Sequence, residues 1–531
     1  MKAMKKLLAL LLTGVLLTVA VGCDVGVPET TDDTPTGTST LENTSNGPSL
    51  TDPTPETEEV PEPEPEYPPD PNRFLEKIPE DLNFAAMGLP GTECTVQIAY
   101  VEGTNGEYTR RSLQVDALDE TMVDKATLER NNRLESKLGL NIAISQVSNR
   151  IAGMEEELAA DLVAGTCPFD ILAGYQYYAM RLARFGVMLD LTDLSELDAD
   201  FIDLRAPYWG NAYNEAMSYK GSYYWITGDI ALRYVGGVYG TYVNNQLYFQ
   251  HLESDYGSIY DIVRKGNWTL DLLTQMATDS YGDGGAVEGS PDAEDTFGFG
   301  YEPNDMMDGL LIGAGLKLTQ KDPVTKDVTL ALNHKDEAFQ SLDAKLKGLL
   351  HQKGVSYEYA DMEGESVMTA FSRGTLVFTI GELYQAGKYL PNMDDYAVLP
   401  MPKADANQKY YRTTVHDGCT VFGITTSTER VAQSAAALEF LCAYSYELVR
   451  PVFYDELFDN SYSKNADRAE MLSLLHESIT TDFALAWGQD MDNLIHPFRD
   501  YNDGVKNTIA RNRDDWAEMV KEFAESLGRL Y

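Results

Sequence analysis

Residues 141–175, "NIAISQVSNRIAGMEEELAADLVAGTCPFDILAGY", decide the fold class because two short apolar runs flank one helical repeat. The runs 141–147 and 169–174 each predict a strand. Between them, apolar residues recur at three- and four-residue steps and stop before Gly165: Ile151, Met154, Leu158 and Leu162. A strand, a helix and a second strand in this order predict parallel strands covered by helices on both faces, which is an α/β fold.

The same alternation extends in both directions along the chain. On the N-terminal side, residues 95–101 predict a strand and residues around 122–138 a helix. Downstream, Thr269 is a predicted helix N-cap, and the chain closes on an amphipathic helix. Three more strands are predicted in this second half, over residues 375–381, 396–402 and 420–426. From about Thr92 onward, the length therefore suits two or three α/β domains.

Three tyrosines mark the first place to look for a ligand. Ligands of open α/β sheets bind beyond the carboxyl ends of the strands. The stretch "AGYQYY" puts Tyr175, Tyr177 and Tyr178 at the end of the predicted strand 169–174.

The N-terminal segment predicts export and a lipid anchor. Three lysines precede the apolar run Leu7–Val21, which is shorter than the roughly 20 residues of a membrane span. Small residues directly before Cys23 resemble a bacterial lipoprotein signal, which implies a signal peptide over 1–22 and a diacylglyceryl group on the Cys23 sulfur. Residues 23–72 are rich in Pro, Thr, Glu and Asp and predict a disordered tether to the membrane.

Charge and cysteine spacing exclude several classes of function. A net charge of −43 and a pI near 4.3 argue against nucleic acid as a partner, because phosphate binding needs a basic surface. No CxxC spacing of a zinc or redox site occurs among the four remaining cysteines, which could form disulfides or remain buried thiols: Cys94, Cys167, Cys419 and Cys442.

Catalytic, cofactor and metal motifs were also sought, and none is predicted. The phosphate-binding, dinucleotide, zinc-protease and serine-hydrolase motifs do not occur. The acidic run Asp279–Asp295 fits a calcium loop poorly, because Tyr281 stands where a ligand is needed and Ser290 stands at the twelfth place, which normally holds a bidentate glutamate; calcium binding there stays open.

Several segments resemble, in their order, the extracellular solute-binding proteins of carbohydrate-importing ABC transporters. They are "FDILAGYQYYAMRLARFGVMLDLTDL" (169–194), "GVYGTYVNNQLY" (237–248), "GNWTLDLLTQMA" (266–277), "AFSRGTLVFTIGELYQ" (370–385), "YAVLPMPK" (396–403) and "TVFGI" (420–424). The resemblance implies a two-lobed periplasmic-binding-protein-like fold of the class II type, with lobes joined by crossing hinge strands. We expect residues 92–243 plus 402–450 in lobe 1, and 244–401 plus 451–531 in lobe 2.

The resemblance also implies a sugar-binding cleft between the lobes. A sugar ring offers an apolar face to aromatic rings and a rim of hydroxyls to polar side chains. Tyr384, in the loop after the strand 375–381, matches a family position that commonly stacks on sugar. The expected ligand-binding residues are Tyr175, Tyr177, Tyr224, Trp225, Asp229, Asn244, Glu382, Tyr384, Asp417 and Trp487. The glycines around Gly237 and Gly240 suit backbone that bends or approaches another segment closely.

These features predict a monomeric, lipid-anchored extracytoplasmic protein that passes its ligand to ABC permease subunits. A secreted glycoside hydrolase and a binding subunit of a sensor remain open alternatives. A hydrolase needs two carboxylates about 5–10 Å apart, a distance that sequence does not give. Whether the ligand is a sugar, and which one, also remains open.

Overall fold

The computed structural model describes residues 75–101, 107–115, 121–284, 295–352, 355–358, 366–393, 395–458, 465–502 and 504–528. The predicted signal peptide 1–22, Cys23 and the tether 23–72 lie outside the described residues, as do residues 285–294 of the acidic run. The strands are β1 Thr95–Val101, β2 Asn141–Ser148, β3 Ile171–Tyr175, β4 Tyr239–Asn244, β5 Phe297–Tyr301, β6 Thr319–Lys321, β7 Val328–Leu330, β8 Ser356–Glu358, β9 Leu376–Glu382, β10 Tyr396–Leu399 and β11 Thr420–Ile424.

The first sheet confirms the predicted parallel core. Its strand order is β11-β3-β1-β2, and β1 runs parallel to both β2 and β3. The last strand, β11, joins from far along the chain and runs antiparallel to β3, with Thr420 opposite Tyr175.

The second sheet is mixed, with the order β10-β4-β9-β5-β8. Strand β5 is parallel to β8 and β9, whereas β4 is antiparallel to β9 and β10. Strand β4, which the predicted lobe boundary assigns to lobe 1 as far as Val243, thus pairs within the second sheet from Tyr239 onward. A separate two-stranded ribbon joins β6 and β7.

Helices cover the sheets as the alternation predicts. Their bounds are Glu107–Leu113, Met122–Leu138, Gly153–Ala164, Gln176–Ala179, Asn211–Met217, Leu232–Gly236, Asn245–His251, Glu253–Tyr256, Ile259–Arg264, Leu270–Ser280, Met306–Gly313, Glu337–Leu350, Val367–Ser372, Gln385–Tyr389, Val431–Tyr444, Arg450–Leu457, Ala466–Glu477, Phe483–Ala486, Gly488–Arg499 and Val505–Gly528. Short 3₁₀ turns cover Met180–Phe185 and Ser195–Leu197, and a π turn covers Ser445–Val449.

Local signals fix several helix ends. The Thr269 hydroxyl accepts a hydrogen bond from the Leu272 N–H at 3.3 Å, which confirms the predicted N-cap. Gly139 ends the helix Met122–Leu138 with φ 63°, a left-handed conformation that favours glycine.

The four cysteines of the described chain are buried free thiols rather than disulfides. Burial raises the pKa of the Cys419 thiol to about 12, so this sulfur is a weak nucleophile. None of the described helices combines the length and the apolar content that crossing a membrane requires.

Candidate functional site

Two chain segments connect the sheets and pair with each other. One enters β4 and the other leads to β11, and Val238 forms an antiparallel bridge with Val415. The His416 N–H donates to the Gly237 carbonyl at 2.9 Å, and the Tyr239 N–H donates to the Thr414 carbonyl at 3.1 Å. The connection is tight at Gly237, where a Cβ would lie 2.4 Å from the Arg233 carbonyl oxygen. These paired segments are the observed crossing connection between the two sheets.

Strand register brings the carboxyl ends of β3 and β9 to this connection. Because Thr420 lies opposite Tyr175, the segment before β11 meets the carboxyl end of β3. Because Tyr239 lies opposite Glu382, the segment before β4 meets the carboxyl end of β9. A group of polar and aromatic side chains gathers here, which we call the junction cluster: Tyr175, Arg233, Tyr239, Asp305, Asp308, Glu382, Tyr384, His416, Asp417 and Arg499.

Arg233 organises the aromatic side of the junction cluster. Its Nε donates to the Gly418 carbonyl at 2.8 Å, and its Nη2 donates to the Tyr384 hydroxyl at 3.2 Å. The guanidinium carbon lies 5.5 Å from the ring centre of Tyr384 and 5.9 Å from that of Tyr175. One buried cation thus holds rings from both sheets.

His416 contacts the acidic side chains of the junction cluster. Its Nε2 lies 2.6 Å from Oδ2 of Asp305, and its Nδ1 accepts a hydrogen bond from the Gly418 N–H at 2.8 Å. Burial disfavours the charged ring, but Glu382, Asp305 and Asp417 outweigh it and raise the pKa of His416 to about 9. A second proton would go to Nδ1, where Asp417 Oδ1 at 3.4 Å replaces the Gly418 N–H as the partner.

Arg499 links the two sheets electrostatically. Its Nη2 lies 2.6 Å from an Asp308 oxygen and 2.8 Å from an Asp417 oxygen. Asp308 belongs to the helix Met306–Gly313, which packs on the second sheet, whereas Asp417 leads into β11 of the first. Burial raises the pKa of Asp308 to about 6 despite the opposing Arg499 charge.

Two buried polar atoms of the junction cluster have no hydrogen-bond partner among the described residues. They are Oε2 of Glu382 and the hydroxyl oxygen of Tyr239, whose residues are 7% and 2% exposed. Burial also raises the pKa of Glu382. Buried polar groups normally find partners, so these two atoms are available for hydrogen bonds to a polar ligand, as is Trp225 Nε1 outside the cluster.

Five of the sequence-predicted residues meet at or beside this cluster: Tyr175, Tyr177, Glu382, Tyr384 and Asp417. The Tyr177 N–H donates to the Asp417 carbonyl at 3.2 Å, while its hydroxyl donates to Asp492 at 3.0 Å. The Tyr384 ring already stacks on Tyr108, with ring centres 5.4 Å apart. A sugar can therefore stack on Tyr384 only by displacing one of its present neighbours.

Three predicted aromatic residues are placed elsewhere. Tyr224 and Trp225 are 5% and 2% exposed and pack beside Gly423 of β11 in the first sheet. Trp487 is 2% exposed, donates to the Met217 carbonyl at 3.2 Å, and packs against Phe523. Because none of the three presents a free ring face, we leave them out of the candidate site.

Two predicted polar residues also have other partners. Asp229 is fully buried and pairs with Arg450 at 2.9 Å and with His476 at 3.1 Å. Asn244 caps the helix Asn245–His251 by accepting a hydrogen bond from the Leu247 N–H at 3.1 Å. Both side chains serve the fold around the crossing connection rather than the junction cluster.

Sequence reasoning missed six of the ten cluster residues, namely Arg233, Tyr239, Asp305, Asp308, His416 and Arg499. A signal existed for His416, which directly precedes the predicted Asp417, and for Arg233 and Tyr239, which lie in the aromatic and glycine-rich stretch before β4. Arg499 carries no such signal, because it comes from a helix near the C-terminal end.

Asp305, His416 and Asp417 also deserve comparison with a metal site. Their ligand atoms lie within 4.8 Å of one another, the one such group in the described part of the chain. A metal ion binds only the unprotonated nitrogen of a histidine, but the acidic neighbours of His416 raise its pKa to about 9, and its Nε2 already pairs with Asp305. We therefore treat these side chains as a hydrogen-bonded network and propose no metal.

Comparison with known proteins identifies the fold. No family model matches the sequence, and no curated protein does. Among solved structures, the chain is similar to the galacto-N-biose-/lacto-N-biose I-binding protein of an ABC transporter from Bifidobacterium longum, in complex with lacto-N-biose. That match has 12% identity and a TM-score of 0.52, and it covers 82% of this chain and 98% of the other.

Two further solved structures are similar to this chain over nearly the same share of its length. A cyclo/maltodextrin-binding protein complexed with maltotetraose matches at 14% identity and a TM-score of 0.51, over 80% of this chain and 96% of the other. An ABC substrate-binding protein from Listeria monocytogenes, in complex with cycloalternan, matches at 13% identity and a TM-score of 0.50, over 80% of this chain and 98% of the other. The chain thus has the α/β fold of the two-lobed solute-binding proteins, as predicted.

Proposed function

We propose that this protein is an extracytoplasmic solute-binding protein that captures a sugar or oligosaccharide at the junction cluster and delivers it to an ABC importer. The fold is compatible with this role, and the structures it resembles are described as binding proteins with bound oligosaccharides. Identity to them is too low to carry a ligand over, so the proposal depends on the chemistry of the cluster.

The observation that carries the proposal is the pair of unpartnered atoms, Glu382 Oε2 and the Tyr239 hydroxyl, beside buried aromatic rings. A sugar hydroxyl can donate to the carboxylate, and another can accept from the phenol. The ring of Tyr175 supplies apolar surface for the C–H face of a sugar, and the ring of Tyr384 does so once the sugar displaces Tyr108 or Arg233. Glu382 at the end of β9 and Asp417 before β11 would bind it from the two sheets.

In this proposal, each of the two lobes contains one of the two large sheets. We place the first boundary just before Tyr239, because β4 pairs only with the second sheet, rather than after Val243. The paired crossing segments would then act as the hinge, and the Arg499 contacts to Asp308 and Asp417 would hold the lobes together. A ligand that replaces these contacts would bind both lobes.

Membrane attachment through Cys23 belongs to the same proposal and depends on the sequence alone. Cys23→Ala should abolish acylation and leave the chain either released or uncleaved, as fractionation and mass spectrometry would report. An unchanged lipidated membrane fraction would rule out the proposed anchor without affecting the binding function.

A ligand panel separates a binding protein from a hydrolase. A ligand that binds the native state alone raises the melting temperature by mass action. We expect at least one oligosaccharide to raise the melting temperature of the full chain while chromatography shows it intact after prolonged incubation. Steady release of shorter sugars would support the hydrolase alternative, and no shift with any sugar would contradict a carbohydrate ligand.

A further inference from the structure

A cavity in the half of the chain that contains the second sheet has an unusual charge. Its volume is about 610 Å³, and it shares no lining residue with the junction cluster. Its ionisable lining residues are the cations Lys317, Lys345, Lys409 and Arg412 and the acids Asp336 and Asp405. Cations thus outnumber acids here, although the whole chain has 84 acidic and 41 basic residues.

Both acids accept hydrogen bonds from backbone N–H groups of the turns in which they lie. Asp336 caps the helix Glu337–Leu350 by accepting from the Ala338 N–H at 2.9 Å, and Asp405 accepts from the Asn407 N–H at 2.7 Å. These bonds leave the carboxylate charges in place, so four cations and two acids give the lining a net charge of +2.

Two of the four cations contact other side chains, whereas the other two have no hydrogen bond or ion pair with a described residue. Lys345 pairs with Asp271, and the Lys409 ammonium lies 4.6 Å from the ring centre of Tyr410. Arg412 is half-buried, and neither it nor the exposed Lys317 forms a hydrogen bond or ion pair with any described residue. A half-buried guanidinium with five unused donors is well suited to a phosphate or carboxylate.

The cavity is held in shape by its own contacts. Gln408 donates to the Gly313 carbonyl at 2.8 Å and accepts from the Ala404 N–H at 3.0 Å, which fixes the loop that carries Lys409. Buried apolar side chains also line it: Leu316, Leu332, Phe339 and Leu342. The lining therefore combines an apolar surface with unneutralised positive charge.

We propose that this cavity binds a small organic anion, with Arg412 and Lys317 contacting a phosphate or carboxylate group and the apolar residues contacting its hydrocarbon part. The inference is independent of the sugar-binding proposal.

Phenyl phosphate is a suitable probe, with phenol as its neutral counterpart. Calorimetric titration of the full chain, at constant ionic strength because salt screens these charges, should give saturable binding of phenyl phosphate and none of phenol. Arg412→Gln should weaken binding by about tenfold or more, because a charge-assisted hydrogen bond is lost. Arg205→Gln, at an arginine whose side chain is 89% exposed, is the matched control and should bind like the parent.

Folding must be checked by circular dichroism. If Arg412→Gln does not fold, Lys317→Gln replaces it, because that side chain is exposed. The oligosaccharide that binds the parent should bind both cavity variants equally well. Absence of saturable phenyl phosphate binding, equal binding of phenol, or full affinity in the folded cation variant would each overturn the proposal.

Discussion

Arg233 donates a hydrogen bond to the Tyr384 hydroxyl at 3.2 Å, and this bond joins the segment before β4 to the loop after β9. The same guanidinium binds the Gly418 carbonyl, next to Asp417. A buried cation that contacts three chain segments orients the aromatic and acidic halves of the junction cluster at once. The first prediction follows from this contact.

Tyr384→Ala should weaken sugar binding by about 10- to 100-fold, because it removes a ring that can pack on the sugar and a hydroxyl that positions Arg233. Tyr384→Phe keeps the ring and should lose less. Calorimetry of both variants measures the difference. Equal affinity of Tyr384→Ala and the parent would remove Tyr384 from the site.

Gly418→Ala tests whether sugar binding needs the tight packing of the junction cluster around Gly418. A Cβ there would lie 2.5 Å from the Tyr175 hydroxyl and 2.7 Å from Arg233 Nη2, so both side chains must move. We expect weaker sugar binding with little loss of secondary structure. Gly348→Ala, where a Cβ meets nothing within 4 Å, is the matched control and should bind normally. Normal binding by both variants would place the ligand elsewhere.

His416 predicts a pH dependence of stability. Its pKa is raised from 6.5 to about 9, so its contribution is fully present below pH 6.5 and is lost as the pH rises towards 9. The parent should lose on the order of 1–3 kcal/mol more of its unfolding free energy than His416→Gln between those values. Urea unfolding at several pH values measures this. The exposed His496→Gln should follow the parent, and parallel curves for parent and His416→Gln would disprove the raised pKa.

The variant Trp487→Ala distinguishes a packing role of this ring from a role in ligand binding. Since the ring is 2% exposed and packs on Phe483 and Phe523, Trp487→Ala should lower the unfolding free energy by about 3–5 kcal/mol. The affinity of the folded fraction for sugar should not change. Lost affinity at unchanged stability would return Trp487 to the ligand site.

Sequence patterns predicted the first sheet well because its strands and helices alternate locally. The helix Met122–Leu138 and the strand Thr95–Val101 match their predicted ranges. The antiparallel pairing of β4 with β9 and β10 was not predicted, because it joins residues far apart in the chain. Local periodicity carries no information about such partners.

The candidate site was predictable mainly where it follows a strand end, with Asp417 before β11 as the exception. Tyr175 and Glu382 lie at the carboxyl ends of β3 and β9, where ligands of α/β sheets bind. Trp225 was expected in the site because the resemblance implied that its stretch is cleft wall, and Trp487 because of its position in the C-terminal region. Neither argument distinguishes an exposed ring from a core ring. Arg499 was missed because only the tertiary fold brings its helix to Asp417.

The most direct test is a crystal structure of the protein with the oligosaccharide that raises its melting temperature. We predict sugar density between the two sheets, with hydroxyl oxygens within hydrogen-bond distance of Glu382 Oε2 and the Tyr239 hydroxyl, and a ring face against Tyr175 or Tyr384. Sugar density in another cavity, with those two buried atoms still unpartnered, would contradict the account.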